Sequence, residues 1–167
     1  KGLEITPDYI ASISGIASNL NILDRHKESY KELERIETIS TDPGILRGMY
    51  YAKAVSRVDA RDFEGAIKEI KENISIAKSL KDNLALGDDL RLLGSLHLMY
   101  EKYDDALKYY EKSIEFYERS NISQELKYFL RRQLFFNAGR IAWLQNDIAK
   151  LKKYTEKYES SAKRTMN

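Results

Sequence analysis

The 167-residue chain contains no cysteine. Disulfides, thiolate nucleophiles and cysteine-based zinc sites are excluded with it. The absence fits a reducing compartment, and a cytoplasmic location is the expectation. Only 2 prolines and 8 glycines interrupt the chain. The glycines are scattered, and neither GxGxxG nor GxxxxGK[ST] occurs, so no phosphate-cradling loop is present. The 2 histidines show no HxxxH or HxxE spacing. A metal site needs several convergent ligands, so no metal and no cofactor are expected. No apolar run approaches the ~20 residues of a membrane-spanning helix, and no signal-peptide pattern stands out. The sequence opens on Lys1 rather than Met, which reads as a fragment of a longer chain or a processed one.

What is present is helix-forming. Apolar residues make up 43% and charged residues 32%, the balance of a folded domain. Leu, Ile, Ala, Lys and Glu dominate, and straight side chains lose little freedom in a helix. Two stretches, Arg61–Ala77 and Lys102–Tyr117, align without gaps at a shift of 40 from Asp62 and Lys102 onward. Phe63 matches Tyr103, Ala66 matches Ala106, Ile70 matches Tyr110 and Ile74 matches Ile114. A fixed period of this size marks a stacked repeat. In the later copy Ala106, Leu107, Tyr110, Ile114 and Tyr117 draw one stripe on a 3.6-residue helix. Period-two alternation is nowhere sustained, so the chain is all-α.

Start signals divide it further. Thr6-Pro7 and Asp42-Pro43 each place a capping oxygen before a proline at the first helical position. Asp62, Ser123 and Asp147 are further caps. Eight helices are expected near 7–21, 24–40, 43–59, 62–80, 84–100, 103–119, 123–145 and 147–164. Short connections force neighbours side by side, giving pairs near 7–40, 43–80, 84–119 and 123–164. A lone pair cannot bury its stripe, so the pairs must stack, and 1–167 is expected to form a single domain.

The third pair resembles the tetratricopeptide repeat. Leu93-Gly94 stands where that family has Leu-Gly in its first helix. Tyr103 opens the second helix, Ala106 is the small residue at the crossing, Tyr110 the aromatic and Ser113 the next small residue. The second pair keeps Ala54, Phe63, Ala66 and Ile70. Gly139, Ile148 and Leu151 correspond in the fourth after a shift of 45, while Ala17, Tyr30 and Leu33 fit the first loosely. The period of 40–45 exceeds the family's usual 34, and the proline after the second helix is missing. Long repeats of this kind resemble the sensor regions of multidomain signalling and transcription regulators, and also free-standing scaffolds. The resemblance implies a right-handed superhelical stack of about four antiparallel helix pairs, an α-solenoid, that binds a protein or peptide and is not an enzyme.

The same resemblance places the partner on the first helices. The matching positions are Tyr51 and Val55 in the second pair, then Arg91, Ser95 and Leu98 in the third. Gln133, Phe136, Arg140 and Trp143 follow in the fourth, Trp143 being also suited to packing against a neighbouring helix. Aromatic side chains and arginines carry much of the binding energy at interfaces. A Lys/Asn clamp for chaperone C-termini would fall on Ser14, Ser18, Tyr51 and Val55, so that clamp is absent. His97 and His26 read as packing residues. Asp88-Asp89 and Asp104-Asp105 read as solvated carboxylates in first turns, facing the helix dipole rather than doing acid-base chemistry.

Charge suggests a second reading. Residues 1–120 carry 18 basic against 22 acidic side chains, and 121–167 carry 10 against 4. Lys127, Arg131, Arg132, Arg140, Lys150, Lys152 and Lys153, with Phe135, Phe136 and Tyr154 for stacking, compose an alternative nucleic-acid surface. It ranks below the peptide-binding reading. Leu151, Tyr154 and Tyr158 share a stripe on the last helix, which suits self-association.

Overall fold

The computed structural model describes residues 7–163, with side chains from residue 9 to residue 162. Among these residues eight helices follow in order: α1 (Pro7–Ile22), α2 (His26–Ile39), α3 (Pro43–Asp59), α4 (Phe63–Ser79), α5 (Asn83–Met99), α6 (Tyr103–Arg119), α7 (Gln124–Leu144) and α8 (Ile148–Lys163). Among the described residues there is no strand. Every boundary lies within two residues of its expected position. The caps explain the starts. Asp42 accepts from the Ile45 amide at 2.9 Å and Asp62 from the Gly65 amide at 3.0 Å. Ser123 accepts from Leu126 at 3.2 Å and Asp147 from Lys150 at 2.9 Å. Asp82, in the gap between the helices expected near 62–80 and 84–100, caps α5 through the Ala85 amide at 3.0 Å. Thr6 lies outside the described residues.

One turn recurs. Asp24, Arg61, Lys81, Glu101 and Asn146 all have φ between 55° and 59°. Each follows a helix end. The next residue's amide reaches back five residues: Arg25 to the Leu20 carbonyl (2.8 Å), Asp62 to Arg57 (2.7 Å), Asp82 to Ala77 (3.0 Å), Lys102 to His97 (2.9 Å) and Asp147 to Ala142 (2.8 Å). This is a Schellman closure, which satisfies carbonyls that the helix end leaves open. The left-handed position usually calls for glycine. None of the five is glycine, so the sequence gives no glycine signal for these turns. The four within-pair turns fix the structural register of the repeat. They place Leu33, Ile70, Tyr110 and Thr155 at one equivalent position, and Ala17, Ala54, Gly94 and Gly139 at another.

The chain divides into two compact units, 1–76 and 77–167. In the first, Ile13 and Ala17 of α1 meet Leu33 and Ile36 of α2 and Met49 of α3 in one buried cluster. Burying such side chains contributes about 1.5–3 kcal/mol each against leaving them exposed. In the second, Ala106, Tyr110 and Tyr117 of α6 join Leu134 and Ile141 of α7. Ala138, Ala142 and Tyr154 continue that core between α7 and α8. Glycine matters here for closeness. A Cβ on Gly94 would stand 2.6 Å from the Tyr110 ring, and one on Gly87 would stand 2.5 Å from the Tyr117 ring. The pairing of 94 with 110 and 87 with 117 shows α5 and α6 running antiparallel, with two tyrosine rings laid onto the bare backbone.

Candidate binding surface

The expected α7 positions lie on the surface together. Phe136 is 59% exposed and Trp143 66%, and Gln133 and Arg140 are exposed beside them. They follow one another at steps of three, four and three along α7, so they share a stripe. Between that stripe and α8 lies a pocket of about 300 Å³ lined by Phe135, Phe136, Gly139, Arg140, Trp143, Leu151, Tyr154, Thr155 and Tyr158. Among the described residues Arg140 is its only charged lining residue. A second hollow continues it across Phe136 and Tyr158, and among the described residues Arg132 is the only charged one there. Thr155, at the pocket wall, escaped the sequence reading. Aligning α8 with α6 at the shift of 45 would have found it, since Thr155 stands where Tyr110 stands.

The α5 positions are less open. Arg91, Ser95 and Leu98 are all half-buried. The Ser95 hydroxyl lies 3.2 Å from the Tyr110 hydroxyl and donates to the Arg91 carbonyl at 3.1 Å. Arg91 leans on Asp88, with Nε 3.7 Å from its carboxylate, and the Tyr117 hydroxyl donates to that same carboxylate at 2.7 Å. Burial, then the Asp88 hydrogen bond, pushes the Tyr117 phenol up to about 12. Burial also holds Tyr110 above its ordinary value, against the Ser95 hydrogen bond and the fields of Arg140 and Arg91. The α5 stripe thus spends much of its polarity inside the pair.

In the first unit Tyr51 and Val55 are exposed on α3, at 49% and 40%. Several other polar groups of this unit bond one another. Lys53 is buried, donates to Glu37 at 3.1 Å and sits over the Tyr30 and Tyr50 rings at 4.6 and 5.4 Å. Burial pulls the Lys53 ammonium down, but the Glu37 hydrogen bond and the nearby acidic groups outweigh it and leave its pKa raised. Glu69, also buried, accepts from the Tyr30 hydroxyl at 2.7 Å and from Arg57 Nε at 2.9 Å. Arg57 further pairs with Asp62 and stacks on the Tyr30 ring at 4.1 Å. Such a network fixes geometry at a large desolvation cost.

Three other expectations change or find their place. Asp88-Asp89 is not a solvated first-turn pair: α5 already starts at Asn83, Asp89 is buried and Asp88 holds Tyr117. Asp104-Asp105 does lie in the first turn of α6. His97 is buried, its ring 5.0 Å from Tyr109. Among the basic residues, Lys127 is buried and donates to the Glu118 carbonyl, Arg131 pairs with Glu118, and Lys150 pairs with Asp147. Tyr154 is buried and Phe135 half-buried, so neither offers an open face for base stacking. Among the described residues no helix is long and apolar enough to cross a membrane.

Residues 46–119, from α3 to the end of α6, match the family model described as tetratricopeptide repeat. No curated protein matches the sequence. Solved structures match nearly all of it. BtubC (BKLC) from P. vanneervenii is 17% identical with a TM-score of 0.73, over 97% of this chain and 66% of that one. The apo form of RapI is 14% identical with a TM-score of 0.74, over 98% and 46%. MamA is 13% identical with a TM-score of 0.65, over 98% and 84%. The chain therefore spans just under two thirds of BtubC and under half of RapI. At these identities the likeness is one of fold, and it fits a helical solenoid of about four helix pairs.

Proposed function

Taking this tetratricopeptide-like chain as a repeat protein, we propose that it is a non-catalytic module that binds a protein or peptide through the outer stripe of α7. One observation carries the reading: Phe136 and Trp143 stay largely exposed beside Arg140, over a pocket with an apolar lining. Folding gains nothing from leaving a Trp and a Phe in water, whereas interfaces draw on Trp, aromatic and Arg anchors. Tyr51 and Val55 form a second, smaller exposed patch, and Arg91, Ser95 and Leu98 support the fold more than they reach a partner. A cytoplasmic place within a signalling or transcription-regulating protein suits the long repeats.

The test is capture with the immobilised chain, followed by cross-linking and mass spectrometry. Wild type is compared with Trp143→Ala/Arg140→Ala and with Tyr51→Ala/Val55→Ala. The α7 double variant should lose at least about tenfold of its specific partners, a 1.4 kcal/mol effect, because truncated hot-spot residues commonly cost more than that. Unchanged capture by that variant, folded by circular dichroism, refutes the assignment. Enrichment of nucleic acid rather than protein, lost with rising salt, would favour the basic surface instead.

A further inference from the structure

The pocket beside α7 has an internal explanation that says what fits it. At one register position the first three pairs place a large side chain: Leu33, Ile70 and Tyr110, all buried. In the third pair the Tyr110 ring lies against Gly94, so close that a Cβ there would stand 2.6 Å from it. The fourth pair keeps the glycine, as Gly139, but puts Thr155 at the tyrosine's position. Thr155 is exposed, and a Cβ on Gly139 would meet its nearest neighbours only at 3.8 Å. Both residues line the pocket of about 300 Å³. The hollow includes the place of the omitted ring, with its bare-backbone floor intact.

Charge narrows the guest further. Arg140 takes the register position of Ser95, whose hydroxyl lies 3.2 Å from the Tyr110 hydroxyl. Among the described residues, the pocket and the hollow that continues it contain Arg140 and Arg132 and no carboxylate. These arginines are eight residues apart on α7, about 12 Å along the axis at 1.5 Å per residue. An extended peptide covers that span in about four residues. An aromatic seated at Gly139 lies one residue from Arg140 and seven from Arg132, so carboxylates within two or three residues on either side of it would come within reach of both guanidiniums, which suit two-point pairing.

We propose that the Gly139 pocket receives an aromatic side chain of a partner protein, presented on an extended segment with carboxylates on both flanks. The guest ring takes the place that Tyr110 holds in the preceding pair. The inference rests on the binding-module reading and names its partner class.

Trp143 is the single tryptophan and borders the pocket, so its emission reports occupancy. The probe is the blocked peptide Ac-EEYEE-NH2, with Ac-EEAEE-NH2 and Ac-KKYKK-NH2 as controls. A saturable change is expected below about 1 mM, corresponding to roughly 4 kcal/mol of binding. Both controls should bind at least about tenfold more weakly, given the apolar area of a buried ring and the sign of the arginines. Thr155→Tyr restores the ring in cis and should abolish the response while raising the melting temperature. Gly139→Leu, which fills the same hollow from the floor, is the second variant should the first fold poorly.

No saturable response in wild type, or equal binding of the alanine peptide, overturns the assignment. So does an undiminished response in both filled variants. If partner capture persists while the peptide fails, the pocket assignment falls and the binding module stands. If both fail, both fall. A wild-type dimer that dissociates in Thr155→Tyr gives the pocket to a second copy and overturns the peptide assignment.

Discussion

Two glycines in equivalent positions should respond to the same substitution with opposite sign. Gly94→Ala adds a methyl group 2.6 Å from the Tyr110 ring and 3.2 Å from the Ala106 carbonyl oxygen. Ordinary contact is about 3.5–4.0 Å, so the ring must retreat by roughly 1 Å. It is 2% exposed and packed against α7, and its hydroxyl is tied to Ser95. Overpacking of that kind costs about 1–3 kcal/mol. Removing glycine from a helix interior returns about 0.8–1 kcal/mol. The net is a loss of about 1 kcal/mol. Gly139→Ala meets only Leu151 and Tyr154, both at 3.8 Å. It keeps the helix gain without the clash, so it should stabilise by about 1 kcal/mol. The two variants then differ by about 2 kcal/mol, or roughly 4–8 °C in midpoint for a chain of this length. Thermal unfolding followed by circular dichroism, with urea titration as a check on equal slopes, measures this directly. If Gly94→Ala proves as stable as Gly139→Ala, the close approach of ring to backbone is not what holds α5 against α6.

Further outcomes follow from the turns, the phenols and the buried network. Glu101→Gly and Lys81→Gly should each raise stability by about 0.5–1 kcal/mol, since glycine relieves a left-handed residue, whereas Asn146→Gly should change it little. Chemical denaturation of the three variants decides. With the Tyr117 and Tyr50 phenols each pushed up to about 12, their folded values lie above the unfolded value near 10. Their stabilising contribution is complete below pH 10 and falls away as pH rises through 12, so alkaline denaturation should accompany a late phenolate absorbance step. An early, complete phenolate titration in the folded protein would contradict this. Glu69→Ala strips Arg57 and Tyr30 of a shared buried acceptor and should cost about 3 kcal/mol, at the low side for a broken buried pair because Arg57 can turn to water. Finally, the expectation that 1–167 is a single domain requires Trp143 emission and helicity to report one coincident unfolding midpoint, and two separate midpoints would refute it.

The helices were legible because their signals are local. Asp42, Asp62, Ser123 and Asp147 each mark a start with a side chain that bonds its own helix. The small displacement at α2, which begins at His26 rather than near 24, comes from Asp24 adopting the left-handed turn. The site was legible only in part. Family positions on α7 proved exposed, but the same positions on α5 proved half-buried, because Ser95 and Arg91 turn toward Tyr110 and Asp88. Exposure depends on what packs opposite, and a sequence names the stripe without naming its cover. Thr155 was missed for a related reason. An exposed threonine carries no signal alone and becomes informative only beside Tyr110.

The repeating turn has a bearing on how such a chain can change length. Measured between its left-handed residues Asp24, Arg61, Glu101 and Asn146, the spacing grows from 37 to 40 to 45. Most of that growth lies in the helices: α2 has 14 residues where α4 and α6 have 17, and α7 has 21 where α3 and α5 have 17. The helices themselves grow by three and four residues, the two whole numbers nearest one 3.6-residue turn, and the one remaining residue lies in a connection. Growth by a turn returns each buried side chain to the same azimuth. Growth by two residues would swing it by about 200° into water. The molecule therefore tolerates lengthening in quanta, like a ladder that accepts a rung but not half of one.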